Sequence, residues 1–249
     1  MIRATQPRAS AVLPTAIASA WLIVIGAQAT GYAGLLHHHA LIEDGPPLWV
    51  GVALFVLSWQ VMIVAMMLPA SLPTIRVAVA MARLTRPRFA GAAFLGAFAF
   101  VWTIFGLLAF AGDFILHHLV DATPWLAARP WLVEAGVLGL AGVYQFAPSK
   151  RRSLAACRDP GGLMIGASRG RDSFQLGLGH GLVCLGSSWA LMLLMFAEGF
   201  ANLAWMAALT ALMAYEMTGQ HGQRAGRTAG VAVLVAAGLT VLGPTLRGA

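Results

Sequence analysis

The chain has 249 residues, of which 59% are hydrophobic and 10% charged, and its formal net charge is +7. Soluble domains carry about 25% charged and 45–50% apolar residues, so this composition, with a mean hydropathy of +0.77, excludes a soluble enzyme, a disordered chain and a disulfide-stapled secreted domain. An all-α, polytopic transmembrane bundle is expected, built as one integral membrane domain over residues 1–249.

A bilayer core of roughly 30 Å is crossed by about 20 mostly apolar helical residues. Seven stretches meet that requirement: 15–36, 48–72, 90–111, 131–147, 176–197, 200–217 and 229–246. They are continuous rather than alternating, which argues against a closed barrel. The first is read as a retained helix, because its Ala18-Ser19-Ala20 triplet opens the apolar run where a cleavable signal would need it at the end.

The second stretch contains SWQVMIVAMMLPASLP. At about 100° per residue, Ser58, Met62, Met66 and Pro69 share one stripe and Met67 points away from it. Pro69 cannot donate to the carbonyl of Ala65, and Pro73 repeats the effect one turn later, so a kink with freed carbonyls is expected. Thioethers beside bare carbonyls suit a soft cation such as Cu(I); the alternative is that Met fills irregular gaps beside a kink.

Between the first spans lie His37, His38 and His39 with Glu43 and Asp44, and after the third lie His117 and His118 with Asp113 and Asp121. Exposed loop histidines are preferred there over an outer metal-collecting patch. In the fourth span Gly136, Gly139 and Gly142 read as a packing stripe. The segment 148–175 reads as the longest loop, and its Lys150, the single lysine, carries no mechanism.

The fifth span opens GLGHGLVCLGSSWALMLLM. His180 and Cys184 stand one turn apart on a face that Ser187 and Met195 extend. Imidazole and thiol at that spacing form a usable metal pair, whereas each alone reads as a packed or hydrogen-bonded residue. Met66 is about 9 Å and Cys184 about 12 Å from the inner ends of their helices, so one metal reaches both if those helices are neighbours. In the sixth span Asn202, Met206, Met213 and Glu216 read as a packing face, with Asn202 and Glu216 capping or snorkelling near the ends.

Charge sets the orientation. With the amino terminus cytoplasmic, the inner segments hold Arg3, Arg8, Arg76, Arg83, Arg86, Arg88, Lys150, Arg151, Arg152, Arg158, Arg169, Arg171, Arg224 and Arg227. Arg129 and Arg247 remain outside, with most of the acids. Positive-inside bias supports the seven spans and an inner-membrane location, and it removes the case for nucleic acid despite a pI near 10.7. The two cysteines, Cys157 and Cys184, are too few for a disulfide framework and lack a zinc spacing.

The segments MIVAMMLP, AGVYQFAPSKRRSLAACRDP and GHGLVCLGSSWALMLLMFAEGFANLAWMA, in that order over roughly residues 50–217, resemble a bacterial family of predicted metal-binding integral membrane proteins, a domain of unknown function. The resemblance implies a polytopic inner-membrane protein with a soft-metal, copper-handling role. It carries over to His180, Cys184, Trp189, Met66, Met67 and Cys157. The family has cysteines where this chain has Ser153, Ser187 and Ser188, and serine is a poor ligand for a soft cation.

The expected metal set is therefore His180, Cys184, Met62, Met66, Met67 and Cys157. The expected function is a bacterial inner-membrane Cu(I) chaperone or insertion factor that serves a copper-receiving or assembly partner protein. The alternatives are a transporter and a metal-free scaffold. The transporter lacks acids deep within any span. An enzyme is not expected, because the sequence has neither HExxH nor an intramembrane aspartate pair.

Overall fold

A computed structural model describes residues 7–30, 47–82, 89–159, 161–162, 172–198 and 202–247. Among them are nine helices and no strand: α1 (Pro7–Ala29), α2 (Leu48–Ala82), α3 (Ala90–Asp121), α4 (Pro124–Ala127), α5 (Trp131–Tyr144), α6 (Pro148–Arg158), α7 (Ser173–Glu198), α8 (Leu203–Thr218) and α9 (Gly222–Arg247). Five, α1, α2, α3, α7 and α9, are long and apolar enough to cross a membrane. Of the remaining two expected spans, α5 has 14 residues and α8 has 16. At 1.5 Å per residue these helices reach only about 21 and 24 Å.

Several helices run beyond the apolar runs, whereas α5 stops at Tyr144, short of the expected end at 147. Helix α2 continues ten residues past the expected end at 72, α3 runs on to Asp121, and α9 begins at Gly222 rather than 229. Hydropathy marks where a helix meets lipid, and hydrogen bonding carries it further into the polar layer. The first expected span is helical from Pro7 to Ala29; residues 31–36 of that span lie outside the described residues, as do His37, His38 and His39. The expected loop after residue 147 contains α6, which opens with Pro148 at its first turn, where the missing N–H costs nothing.

The helices meet through a few specific contacts. Helix α2 is continuous through Pro69 and Pro73. The Ala65 carbonyl that Pro69 leaves without its helical donor accepts the Trp21 indole N–H of α1 at 3.1 Å. The expected bare carbonyl is thus satisfied by a neighbouring helix, as burial in lipid demands. Helices α2 and α3 are joined by Trp59 Nε1 donating to the Trp102 carbonyl at 2.8 Å and Gln60 donating to Thr103 Oγ1 at 2.7 Å. Helices α3 and α7 pack closest of all: a Cβ at Gly177 would strike the Phe94 carbonyl and sit 2.9 Å from Ala97 Cβ.

Of the glycine stripe in α5, Gly142 meets α9, where Leu234 leaves no room for a Cβ, while Gly136 and Gly139 face open space. Asn202 caps α8 by accepting the Trp205 N–H at 3.0 Å. Outside the bundle, Leu22, Leu57, Phe100, Leu108, Leu182, Val235 and Leu239 are exposed. An apolar belt of this kind is what a lipid-facing surface requires.

Several basic residues cluster around the docked α6. Lys150 of α6 bonds Glu216 at the close of α8, Arg158 donates to the Gly219 carbonyl, and Thr74 of α2 donates to the Cys157 carbonyl at 3.4 Å. These contacts gather Arg76, Lys150, Arg151, Arg152, Arg158, Arg224 and Arg227 near one end of the bundle.

Candidate metal centre

Helix α6 carries Lys150, Leu154 and Cys157 on its buried face, at the i, i+4, i+7 spacing of a single stripe. That stripe docks the helix against α7 and α8. Ser153 lies against Gly186 of α7, where a Cβ would come 2.5 Å from its hydroxyl. The docking brings Cys157 beside Cys184, close enough for the two thiols to influence each other electrostatically. Both cysteines are free and buried. The neighbouring Cys184 thiol, and burial after it, push the Cys157 thiol above the ordinary thiol range.

Around Cys184 the neighbours are polar and convergent. Ser71 of α2 lies 3.8 Å from its sulfur. The Trp102 indole N–H of α3 is buried without a hydrogen-bond partner among the described residues. Ser188 donates to the Cys184 carbonyl at 2.8 Å and also lies 3.7 Å from Met67 Sδ. Ser187 likewise donates to the Cys184 carbonyl, at 2.8 Å. Both serine hydroxyls are thus engaged by the Cys184 backbone carbonyl.

The expected residues thus fall into three groups. Cys157 and Cys184 come together where α6 docks on α7, and Met67 of α2 lies against Ser188, one turn after Cys184 on α7. His180, one turn before Cys184, packs its ring against Phe94 and Phe98, with centroids at 5.8 and 5.7 Å. Its Nε2 is buried without a hydrogen-bond partner among the described residues. Met62 lines an apolar cavity with Val24, Phe55, Trp59 and Met206, and Met66 is fully buried in the same core. Depth and stripe favoured Met66 over Met67 in the sequence; contact with Ser188 favours Met67.

Among the described residues no group of three or more His, Cys, Asp or Glu side chains gathers as a metal cage. Two neighbouring thiols are donors that suit a soft monovalent cation that accepts few ligands, and not a hard cation that demands oxygen.

Sequence reasoning missed Ser71, Trp102 and the pair Lys150–Glu216. The ion pair spans 2.8 Å with each side chain 3% exposed. Burial pulls the Lys150 amine below its ordinary value, and Glu216 opposes that shift. The remaining Glu216 oxygen and the Gln145 amide are buried without partners among the described residues. Lys150 at i−7 from Cys157 was a readable signal, had 148–158 been taken as a helix. Ser71 and Trp102 carried none, since helix-to-helix contact is not written in spacing along one helix.

Residues 56–240 match the family described as PpoB2, a copper chaperone. The chain belongs to that family, and the match takes in nearly all of the region whose motifs resemble predicted metal-binding membrane proteins. No curated protein and no solved structure matches the chain.

Proposed function

We propose that the chain is an integral membrane copper chaperone that holds Cu(I) between the thiolates of Cys157 and Cys184. Met67 supplies a third sulfur, and His180 offers an imidazole nitrogen one turn before Cys184 on α7. The observation that carries this reading is the proximity of two free, buried cysteines from separate helices, in a chain of a copper chaperone family. Thiolate and thioether ligands are the soft donors that select Cu(I). Met62 faces apolar side chains and is left out of the set.

Copper is cargo in this reading, not a catalytic cofactor, and the chain is not an enzyme. The basic end of the bundle faces the cytoplasm of a bacterial inner membrane, in keeping with positive-inside bias. A copper-receiving or assembly partner protein takes the metal, and nucleic acid has no part. The test is anaerobic equilibration of detergent-purified protein with buffered Cu(I), followed by metal analysis. Wild type is expected to retain up to one copper per chain; protein that stays metal-free defeats the proposal.

A further inference from the structure

We infer that the cargo is exchanged through the cavity between α2, α6 and α8, and that the cationic rim of this cavity favours Cu(I) delivered as an anionic thiolate complex over the bare cation. The inference rests on the copper reading above and adds to it the route and the chemical form of the cargo.

The cavity has a volume of about 180 Å³, and its lining includes Ala70, Thr74, Cys157, Arg158, Met217 and Thr218. Cys157 forms part of its wall, whereas Cys184 has no exposure at all. A metal arriving by this route meets the Cys157 sulfur first and the Cys184 sulfur second. The space admits a thiol-bearing side chain and excludes a folded domain.

Charge then decides what is admitted. Arg158 is the charged residue of the lining. Its guanidinium donates to the Gly219 carbonyl, a neutral acceptor that leaves the positive charge uncompensated. The adjacent Asp159 carboxylate is turned to the Gly161 N–H at 2.8 Å. Arg76, Arg151 and Arg152, all exposed, add positive potential at the same end of the bundle. Such a field repels a monovalent metal cation and draws in an anion, and the effect is focused where low-dielectric walls surround the entrance.

A Cu(I) ion held by two small thiolates carries a net charge of −1 and fits this requirement. The exchange balances without an oxidant or reductant. The Cys157 sulfur forms a bond to copper, one carrier thiolate leaves, and the Cys157 proton goes to it, giving a mixed complex of charge −1 and one free carrier thiol. Repetition at Cys184 releases the second carrier thiol and leaves copper between the two protein sulfurs, still at −1.

The test compares two copper donors under anaerobic conditions, the bis-glutathione Cu(I) complex and the cationic tetrakis-acetonitrile complex, with both loading rate and final copper content measured. Arg158→Gln and Thr218→Asp are the variants. Thr218 is exposed and its hydroxyl bonds within its own helix, to Ala214 at 2.7 Å, so an acid there changes the rim without disturbing α6. Both variants are expected to slow loading from the glutathione complex about tenfold at low salt, with the difference shrinking at high salt. Final copper stays unchanged, and loading from the acetonitrile complex is unchanged or faster. Wild-type rates from both donors in both variants, with copper still retained, overturn the inference. A wild-type protein that retains copper from neither donor overturns the copper reading itself, and the route with it.

Discussion

Two sulfur-containing regions of the bundle, both bordered by α2, differ in what surrounds the sulfur. Near Met62 the walls are Val24, Phe55, Trp59 and Met206 from α1, α2 and α8, and Ser58 is the polar exception. Near Met67 a hydroxyl lies 3.7 Å from the thioether, and two thiols from α6 and α7 face each other close by. Methionine fills space in the first region and stands beside convergent polar groups in the second. Sulfur on a helix stripe is therefore not a site; donors arriving from several helices make one.

The comparison breaks most readily at the anchor of α6. Lys150→Met is expected to cost about 3–5 kcal/mol, because it leaves Glu216 buried without its partner. Replacing both residues with apolar ones of similar volume recovers most of that loss. Unfolding in mixed detergent and SDS measures the stability. Copper retention should fall with the single variant, since Cys157 rides on the same helix.

Next in size is Cys184→Ser, expected to weaken Cu(I) retention about a hundredfold, with Cys157→Ser close behind, when measured against a chromogenic Cu(I) chelator. Equal retention by wild type and both variants would place any copper elsewhere. The contrast between regions sharpens with Met67→Leu, expected to lose about tenfold in the same assay, while Met62→Leu changes nothing. Equal losses for the two methionines would erase the distinction. Smallest is the pair Gly177→Ala and Gly179→Ala. The first forces a Cβ onto the Phe94 carbonyl, at about 1 kcal/mol or more; the second points into open space and stays within about 0.5 kcal/mol.

The sequence revealed the helical class, the apolar stretches and the sulfur residues, because hydropathy and residue chemistry are local properties. Helix ends were less legible. Helix α2 passes through two prolines and on to Ala82, since Trp21 from α1 satisfies the carbonyl that Pro69 frees. Helix α6 was hidden by its charges: Lys150, Arg151, Arg152 and Arg158 read as a loop, although Lys150, Leu154 and Cys157 sit on one buried face.

At the site, Cys157 and Cys184 were both singled out, but nothing in their spacing of 27 residues showed that they meet. The contact that distinguishes Met67 from Met66 comes from Ser188, which belongs to another helix. Glu216 read as a snorkelling terminal acid and is instead sealed against Lys150. A partner makes that burial tolerable, and the partner lies 66 residues away.

The anchoring of α6 also orders events during synthesis. Cys157 leaves the ribosome 59 residues ahead of Glu216, the acid that fixes Lys150 and with it the docked position of the thiol. At roughly 5–20 residues per second that interval lasts several seconds, and once Cys184 has been made the chain possesses both cysteines but not yet the clamp that joins them. A product ending before α8 lacks the acid that pairs Lys150, and with it the contact that fixes the docked position of Cys157.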